Sequence, residues 1–239
     1  MRILVTNDDG IFAPGIALLA EKAKDFGEVT VVAPRNQCSA MSHHITLGEK
    51  MRLRKEDFPV PGVEAYSLEG TPADCVRFVM RGQLIEKPDL LLSGINDGAN
   101  CGVDTLYSAT VGAAMEAVLY RVPAICFSQL RLPETSHEIV NRMILPIMEE
   151  LIQEPLSDGY VWNVNFPACS YEDFQGILRN RVLDRDCFFE DVYEANPLDE
   201  ESWDVRLIDR MRQEAIEGTD IAAVLSGHIS IGKIQNMVF

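Results

Sequence analysis

An open, mostly parallel α/β sheet is the fold this sequence predicts, and three observations carry the prediction. The first 34 residues spell strand, helix, strand, which implies a parallel βαβ unit with a right-handed crossover. Short apolar runs, several closed by polar loops, then alternate with helical segments as far as Phe166. The chain has 239 residues, 47% apolar and 24% charged, enough for one large α/β domain, or one domain plus an extension. That composition excludes a disordered or collagen-like chain, and two independent cores are not expected.

Arg2 to Thr6 reads as a short buried strand. Ile16 to Phe26 reads as an amphipathic helix, with Gly27 following as its C′ residue. Val29 to Ala33 is a second β-branched run, stopped by Pro34. His44–Leu47, Met51–Arg54 and Val63–Leu68 are short and divided by turns, which predicts an antiparallel excursion. Thr71-Pro72-Ala73-Asp74 starts a helix: Thr71 caps, Pro72 fits the first position, and Asp74 completes a capping-box-like pattern. This helix is expected to run to about Gly82. Pro88 to Ser93 is another buried strand, Ala109 to Tyr120 a small-residue helix, and Ala124 to Ser128 a fourth parallel strand. Glu134 to Glu154 is helical, with Thr135 and Glu138 at capping-box spacing and Pro146 as a kink. Val161 to Phe166 is a strand. From about residue 170 the pattern weakens and acidity rises, from Asp184 through Glu201. That stretch predicts an extension of loops and a hairpin, exchangeable with a partner subunit. Thr219 and Asp220 begin a short helix closed by Gly227, and Ile229 to Ile234 alternates as a strand. There is no internal repeat and no linker between autonomous domains. The chain is therefore read as one domain, 1–239, with a core over about 1–170 and a C-terminal extension over about 171–239.

Charge narrows the partners. Lys plus Arg number 21 and Asp plus Glu 37, a net −16. So acidic a chain repels a nucleic-acid duplex and an anionic membrane. It can still bind a small anion where a metal or backbone dipoles reverse the local field. No apolar run reaches the roughly 18 residues of a membrane span. Asp8 and Asp9 fall where a signal peptide has its apolar stretch, so export is not expected. Six cysteines without a C-x-x-C pair predict reduced thiols in the cytoplasm.

Chemistry converges on one rim. Asn7, Asp8, Asp9 and Gly10 follow the first strand; Arg35 to Ser39 follow the second; Ser93 to Asn100 follow the Leu90-Leu91-Leu92 strand. In an open parallel sheet, ligands bind outside the carboxyl ends of the strands. Asp8 and Asp9 are adjacent carboxylates that raise one another's pKa unless a cation neutralises them. With oxygen donors and no nearby His/Cys cluster, Mg²⁺, Mn²⁺ or Ca²⁺ suits better than zinc. Alone, the pair also reads as a solvated turn; the neighbouring loops weigh against that. Ser108 and Thr110 open the small-residue helix, where they can cap it and where free N–H groups suit a phosphate. His43 and His44 would point to opposite faces of a strand, so a structural or surface role is expected. Gly227 to Lys233 matches the first seven positions of a P-loop, but Ile234 replaces the Ser or Thr and no helix can follow. No G-x-G occurs, so the dinucleotide fingerprint is absent.

These segments resemble the SurE family, the survival-protein 5′/3′-nucleotidases. The resemblance rests on residues 1–16, 31–40, 70–76, 88–96, 107–116, 163–167 and 218–224, in that order, and so touches almost the whole chain. It implies a Rossmann-like core with helices on both faces, and dimers or tetramers that exchange C-terminal elements. The implied activity is a metal-dependent phosphomonoesterase acting on nucleoside monophosphates through a metal-activated water. The family's metal ligands fall on Asp8, Asp9, Ser39 and Asn96, for one Mg²⁺ or Mn²⁺ per subunit. Its phosphate contacts fall on Asn7, Ser108 and Thr110, and Asp8, Asp9 and Asn7 are the implied catalytic residues. Ala40 and Ala109 stand where many members have Gly, and each Cβ occupies space near the expected phosphate. A family-like binding protein with little or no turnover is the alternative. A receiver-like domain fails because Asp57 lies in a charged loop with no buried strand before it.

Overall fold

The computed structural model describes residues 1–132, 137–154, 159–208, 210–236 and 238. In chain order the elements are β1 (Arg2–Thr6), α1 (Pro14–Ala23), β2 (Glu28–Pro34), β3 (Leu53–Lys55), β4 (Glu64–Leu68), α2 (Pro72–Arg81) and β5 (Leu90–Asp97). A 3-10 turn (Val103–Leu106), α3 (Ala109–Leu119), β6 (Ala124–Gln129), α4 (Glu138–Gln153) and β7 (Tyr160–Phe166) follow. The last are β8 (Gly176–Arg181), β9 (Val192–Pro197), β10 (Trp203–Ile208), α5 (Asp220–Leu225) and β11 (His228–Gln235).

Nine strands form one sheet in the order β3-β4-β2-β1-β5-β6-β7-β11-β8. The six from β4 to β7 run parallel. β3 is antiparallel at one edge, and β11 is antiparallel to β7. Successive side chains of a strand face opposite sides. Accordingly Ile3 and Val5 join α1 and α4 in one core, whereas Leu4 joins α2 and α3 in the other. Both faces are thus apolar and helix-covered, which is why the central strands read as unbroken hydrophobic runs.

Several boundaries depart from the sequence reading, each for a local reason. α1 starts two residues early because Pro14 takes a first-turn position, where a missing N–H costs nothing. It ends at Ala23, and Gly27 serves a different purpose from a C′ residue. A Cβ there would lie 2.0 Å from the Met1 carbonyl oxygen, so Gly27 lets the two backbones touch. The expected excursion contracts to β3 alone: His44–Leu47 forms no strand, and β4 joins the main sheet parallel to β2. β5 runs on through Asp97, so Ser93 to Asp97 are strand rather than loop, with a register slip against β6 between Ser93 and Asn96. The capping box of α2 is present in both directions. Thr135 lies outside the described residues, and His137 precedes α4 without a side-chain cap. Pro146 does lie inside α4.

β8 and β11 extend the main sheet, so residues after 170 contribute to it directly. β9 and β10 form a separate hairpin. Its register sets Tyr193 opposite Leu207, Ala195 opposite Val205 and Pro197 opposite Trp203. One face is therefore wholly apolar and the other carries Glu194, Arg206 and Asp204, yet all six apolar residues are exposed. A third small cluster, Ala99, Cys101, Phe188, Ile221 and Val224, ties α5 to the loop after β5.

Candidate active site

The sheet order turns at β1: β2 lies on one side and β5 on the other, and this is where ligands enter such sheets. Asn7, Asp8 and Asp9 leave β1 at that point. Adjacent residues diverge, so Asp8 goes to Thr110 of α3 and Asp9 to the backbone at the end of β5. Thr110 Oγ1 donates to Asp8 Oδ1 at 2.5 Å. Asp97 N–H donates to Asp9 Oδ2 at 3.0 Å. Asp8 is 3% exposed, and burial pushes its carboxyl up to about 6. The Thr110 hydrogen bond opposes that rise, and the charge of Asp9 adds to it. Burial also raises Asp9, with the Arg131 charge pulling the other way.

Asn7 is fully buried. Its Nδ2 donates to the Gly10 carbonyl at 2.9 Å, and its Oδ1 has no hydrogen-bond partner. The β2 loop is tied to the acids by its backbone: Cys38 N–H donates to the Asp8 carbonyl at 2.7 Å. Ser39, next along, is exposed, and its Oγ accepts from Gln37 Nε2 at 3.0 Å. Asn96 stands past the register slip in β5. Its Nδ2 donates to the Gly98 carbonyl at 2.8 Å, which leaves Oδ1 as its acceptor for a further group.

At the start of α3, Ser108 Oγ accepts from Val111 N–H at 3.1 Å as an ordinary N-cap. The hydroxyl proton of Ser108 remains to be donated. Thr110 behaves differently from its expected phosphate contact: its proton goes to Asp8, so its first duty is to hold a carboxylate. Ala109 is wholly buried in the helix start, so its methyl does not line an open rim. Ala40 is exposed with φ +57°, a left-handed backbone that glycine would adopt without strain.

A strap carrying Ser39 is fastened along its length. Ser42 N–H donates to the Tyr107 carbonyl at 2.9 Å. His43 Nε2 pairs with Glu116 Oε2 at 2.8 Å, and Arg77 with Glu116 Oε1 at 2.9 Å. Burial would raise the Glu116 carboxyl, but hydrogen bonds and charge from His43 and Arg77 outweigh it and hold it below the usual range. Thr71 Oγ1 donates to the His44 carbonyl at 2.5 Å. A Cβ on Gly112 would lie 2.3 Å from the Ser42 carbonyl oxygen, so strap and helix α3 touch backbone to backbone. His43 thus holds the strap to α3, and it does so from a turn, not from the strand expected there.

Sequence reasoning passed over Glu116, although a lone acid in an otherwise uncharged small-residue helix was the signal. It also passed over a buried amide knot. Asn100 N–H donates to Asn165 Oδ1, Asn100 Nδ2 to Ser128 Oγ, and Asn163 Nδ2 to the Asn100 carbonyl, each at 2.8 Å. Two asparagines in a buried strand were the available sign. Asp220 fixes the next part of that loop, accepting from Gly102 N–H at 2.8 Å.

The rim fits a hard divalent cation. Two adjacent carboxylates leave β1 here, Asn7 Oδ1 beside them finds no partner among the described residues, and burial holds the Asp8 carboxyl above its ordinary range. Positive charge is what this arrangement lacks. Among the described residues no three His, Cys, Asp or Glu side chains gather as a metal cluster. Ser39 and Asn96, on the neighbouring loops, add neutral oxygens to the two acids, and oxygen donors of this kind suit a hard cation such as Mg²⁺ or Mn²⁺. Beside Asp9 and Asn96 a cleft of about 500 Å³ opens between α1 and α4.

Comparison with known proteins follows the same outline. A family model described as survival protein SurE matches residues 3–187. The 5′-nucleotidase SurE of Clostridium botulinum (strain Loch Maree) is 37% identical over 237 residues, covering 97% of this chain and 91% of that protein. The 5′-nucleotidase SurE of Nitrosomonas eutropha is 38% identical over 235 residues, covering 98% and 93%. The crystal structure of the SurE protein from Aquifex aeolicus superposes with a TM-score of 0.83 at 34% identity, covering 98% of this chain and 93% of that one.

Proposed function

The chain belongs to the survival protein SurE family, and from that membership we propose that it is a 5′-nucleotidase, releasing phosphate from nucleoside monophosphates. The observation that carries the reading is the buried Asp8 and its neighbour Asp9 at the β1 rim, beside the start of α3. Activity toward 3′-monophosphates is part of the proposal, on the family resemblance alone.

Asp8, Asp9, Ser39 and Asn96 would hold one Mg²⁺ or Mn²⁺ per subunit. When bound, the ion supplies Lewis acidity toward a phosphate oxygen and lowers the pKa of water. The chain does the rest. Thr110 fixes the Asp8 carboxylate through Oδ1, and Asp97 N–H fixes Asp9 through Oδ2. Asp8 and Asp9 would each offer a carboxylate oxygen to the cation, and an oxygen of Asp8 or Asp9 not engaged with it would accept the proton of the attacking water. Ser108 donates its hydroxyl proton to an equatorial phosphate oxygen, aided by the positive end of the eleven-residue α3. Asn7, anchored to Gly10, completes the cradle behind the two acids.

We further propose a homodimer or homotetramer assembled through the C-terminal segment, in which the apolar face of the β9–β10 hairpin is covered by a second copy. Unpaired thiols suit a cytoplasmic setting, which we also propose. No helix among the described residues is long and apolar enough to cross a membrane.

The test is phosphate release from a panel of nucleoside 5′- and 3′-monophosphates and an aryl phosphate, with Mn²⁺, with Mg²⁺ and with EDTA. Metal-restored release, greatest on nucleotides, is the expected result. Folded, metal-binding protein that releases nothing would instead support a binding role.

A further inference from the structure

We propose, resting on the nucleotidase reading, that Asp104 is a positioning residue: it pins the C-terminal extension to the turn before α3 and so sets where the Ser108 hydroxyl meets phosphate. Asp104 lies in the 3-10 turn that leads into Ser108. Its backbone and side chain reach in different directions. The carbonyl reaches forward, accepting the N–H groups of Tyr107 and Ser108 at 3.0 and 3.2 Å. The carboxylate reaches across, where Oδ2 accepts from Phe188 N–H at 2.7 Å and from Phe189 N–H at 3.1 Å. One residue therefore holds both the backbone of Ser108 and the extension.

The neighbouring bonds make this tie a seam. Val103 N–H donates to the Asp186 carbonyl at 3.1 Å, and Gly102 bridges Cys187. Gly102 has φ +54°, and a Cβ there would lie 2.3 Å from the Asp186 carbonyl oxygen, so the two backbones run in contact. Phe188 is wholly buried beside Cys101 and Ile221. Asp220 fastens both sides, accepting from Gly102 N–H at 2.8 Å and from Asp184 N–H at 2.9 Å. The acidic stretch thus opens with Asp184, 3% exposed, as internal fastening rather than as a solvated surface. A carboxylate that takes two N–H donors is a strong, directional tie. Placement matters at this point because the favourable field of a helix end fades within its first turn. A misplacement of about 1 Å can cost about a hundredfold in rate.

Calorimetry with inorganic phosphate on the Mn²⁺-loaded protein tests the assignment, with AMP turnover and denaturant melts alongside. The set is parent, Asp104→Ala, Asp104→Asn, Ser108→Ala and the variant carrying both alanines. Asp104→Ala is expected to weaken phosphate binding about tenfold and to lower kcat/KM for AMP in step. Asp104→Asn keeps an acceptor oxygen and should hold phosphate within about threefold of the parent. Ser108→Ala weakens phosphate binding in its own right. In that background the further loss of Asp104 should change it by less than about twofold, because the two residues act as a unit. The strap carrying Ser39 touches the turn at Tyr107 but is also held by Glu116 and Thr71, so Mn²⁺ affinity should stay within about twofold throughout. Additive losses in the double variant, parental phosphate affinity in Ser108→Ala, or a destabilised Asp104→Ala protein that binds phosphate normally would overturn the assignment and leave the nucleotidase reading standing. If Asp104→Ala does not fold, Asp104→Ser, whose shorter side chain cannot reach both N–H groups, enters the same cycle. A parent that binds Mn²⁺ yet neither binds phosphate nor hydrolyses AMP overturns both.

Discussion

Asp8 sits in an environment that suits its work and opposes its charge. Burial lifts its carboxyl to about 6, above the ordinary 3.8, so the folded chain without metal holds this proton up to about pH 6. The sign follows from linkage: this group's charge weakens the metal-free fold above pH 6, and the penalty is relieved as pH falls from 6 toward 3.8. A shift of that size corresponds to on the order of 3 kcal/mol. Denaturant melts in EDTA should therefore show Asp8→Asn more stable than the parent at pH 7, with the difference shrinking toward pH 5. The same substitution is expected to cost at least about 2.7 kcal/mol of transition-state stabilisation, roughly a hundredfold in turnover at saturating metal. Asp9→Asn should lose turnover likewise. Near-native turnover in both variants would remove them from the proposed ligand set. Stability and activity are thus expected to move in opposite directions at one atom.

At the scale of elements, the strap from Ser39 to Thr46 depends on α2 and α3 for its position. Glu116 is 2% exposed and pairs with the Arg77 guanidinium and the His43 ring, each about one-third exposed. Removing one member of a fully buried pair costs about 3–5 kcal/mol; with partners this accessible, Glu116→Gln should cost about 2. Gly112→Ala offers a second view. Helix propensity alone would favour alanine by about 1 kcal/mol, yet the new methyl would meet the Ser42 carbonyl oxygen at 2.3 Å. We expect that variant to stay helical, lose stability and bind Mn²⁺ more weakly, as read by calorimetry without substrate. A Gly112→Ala protein with parental Mn²⁺ affinity would show that the strap does not position Ser39. Much of this architecture was legible beforehand. The β1–α1–β2 order, the Thr71 capping box and the loops bearing Asp8, Ser39 and Asn96 follow from local chemistry that a linear chain displays. The strap was not, because Glu116, Gly112 and Ser42 acquire meaning only when α3 lies against a distant loop. The end of β5 was misread for a related reason: Gly94 to Asp97 have a loop's composition, and pairing with β6 keeps them in the sheet.

Across the whole molecule, a net charge of −16 keeps copies apart at long range, whereas the β9–β10 hairpin offers a reason to meet. Trp203, Val205 and Tyr193 are 56%, 63% and 70% exposed, which is unusual for one face of a ribbon. Sedimentation at moderate salt is expected to show a dimer or tetramer, and replacing residues 192–208 by a short Gly-Ser turn should yield monomers. An unchanged mass after that replacement would place the contact elsewhere. The sequence announced a hairpin within this weak, acidic stretch but not its bounds, because alternation with an unburied apolar face resembles a loop. The position of β11 has a further consequence, which concerns time. Among the described residues β8 has β11 as its one hydrogen-bonded neighbour in the sheet, and β11 lies some fifty residues later in the chain. As the protein is synthesised, β7 and β8 both wait with open edges for the same strand. During that interval both edges depend on a segment not yet made, and the sheet is completed when β11 leaves the ribosome and enters between them.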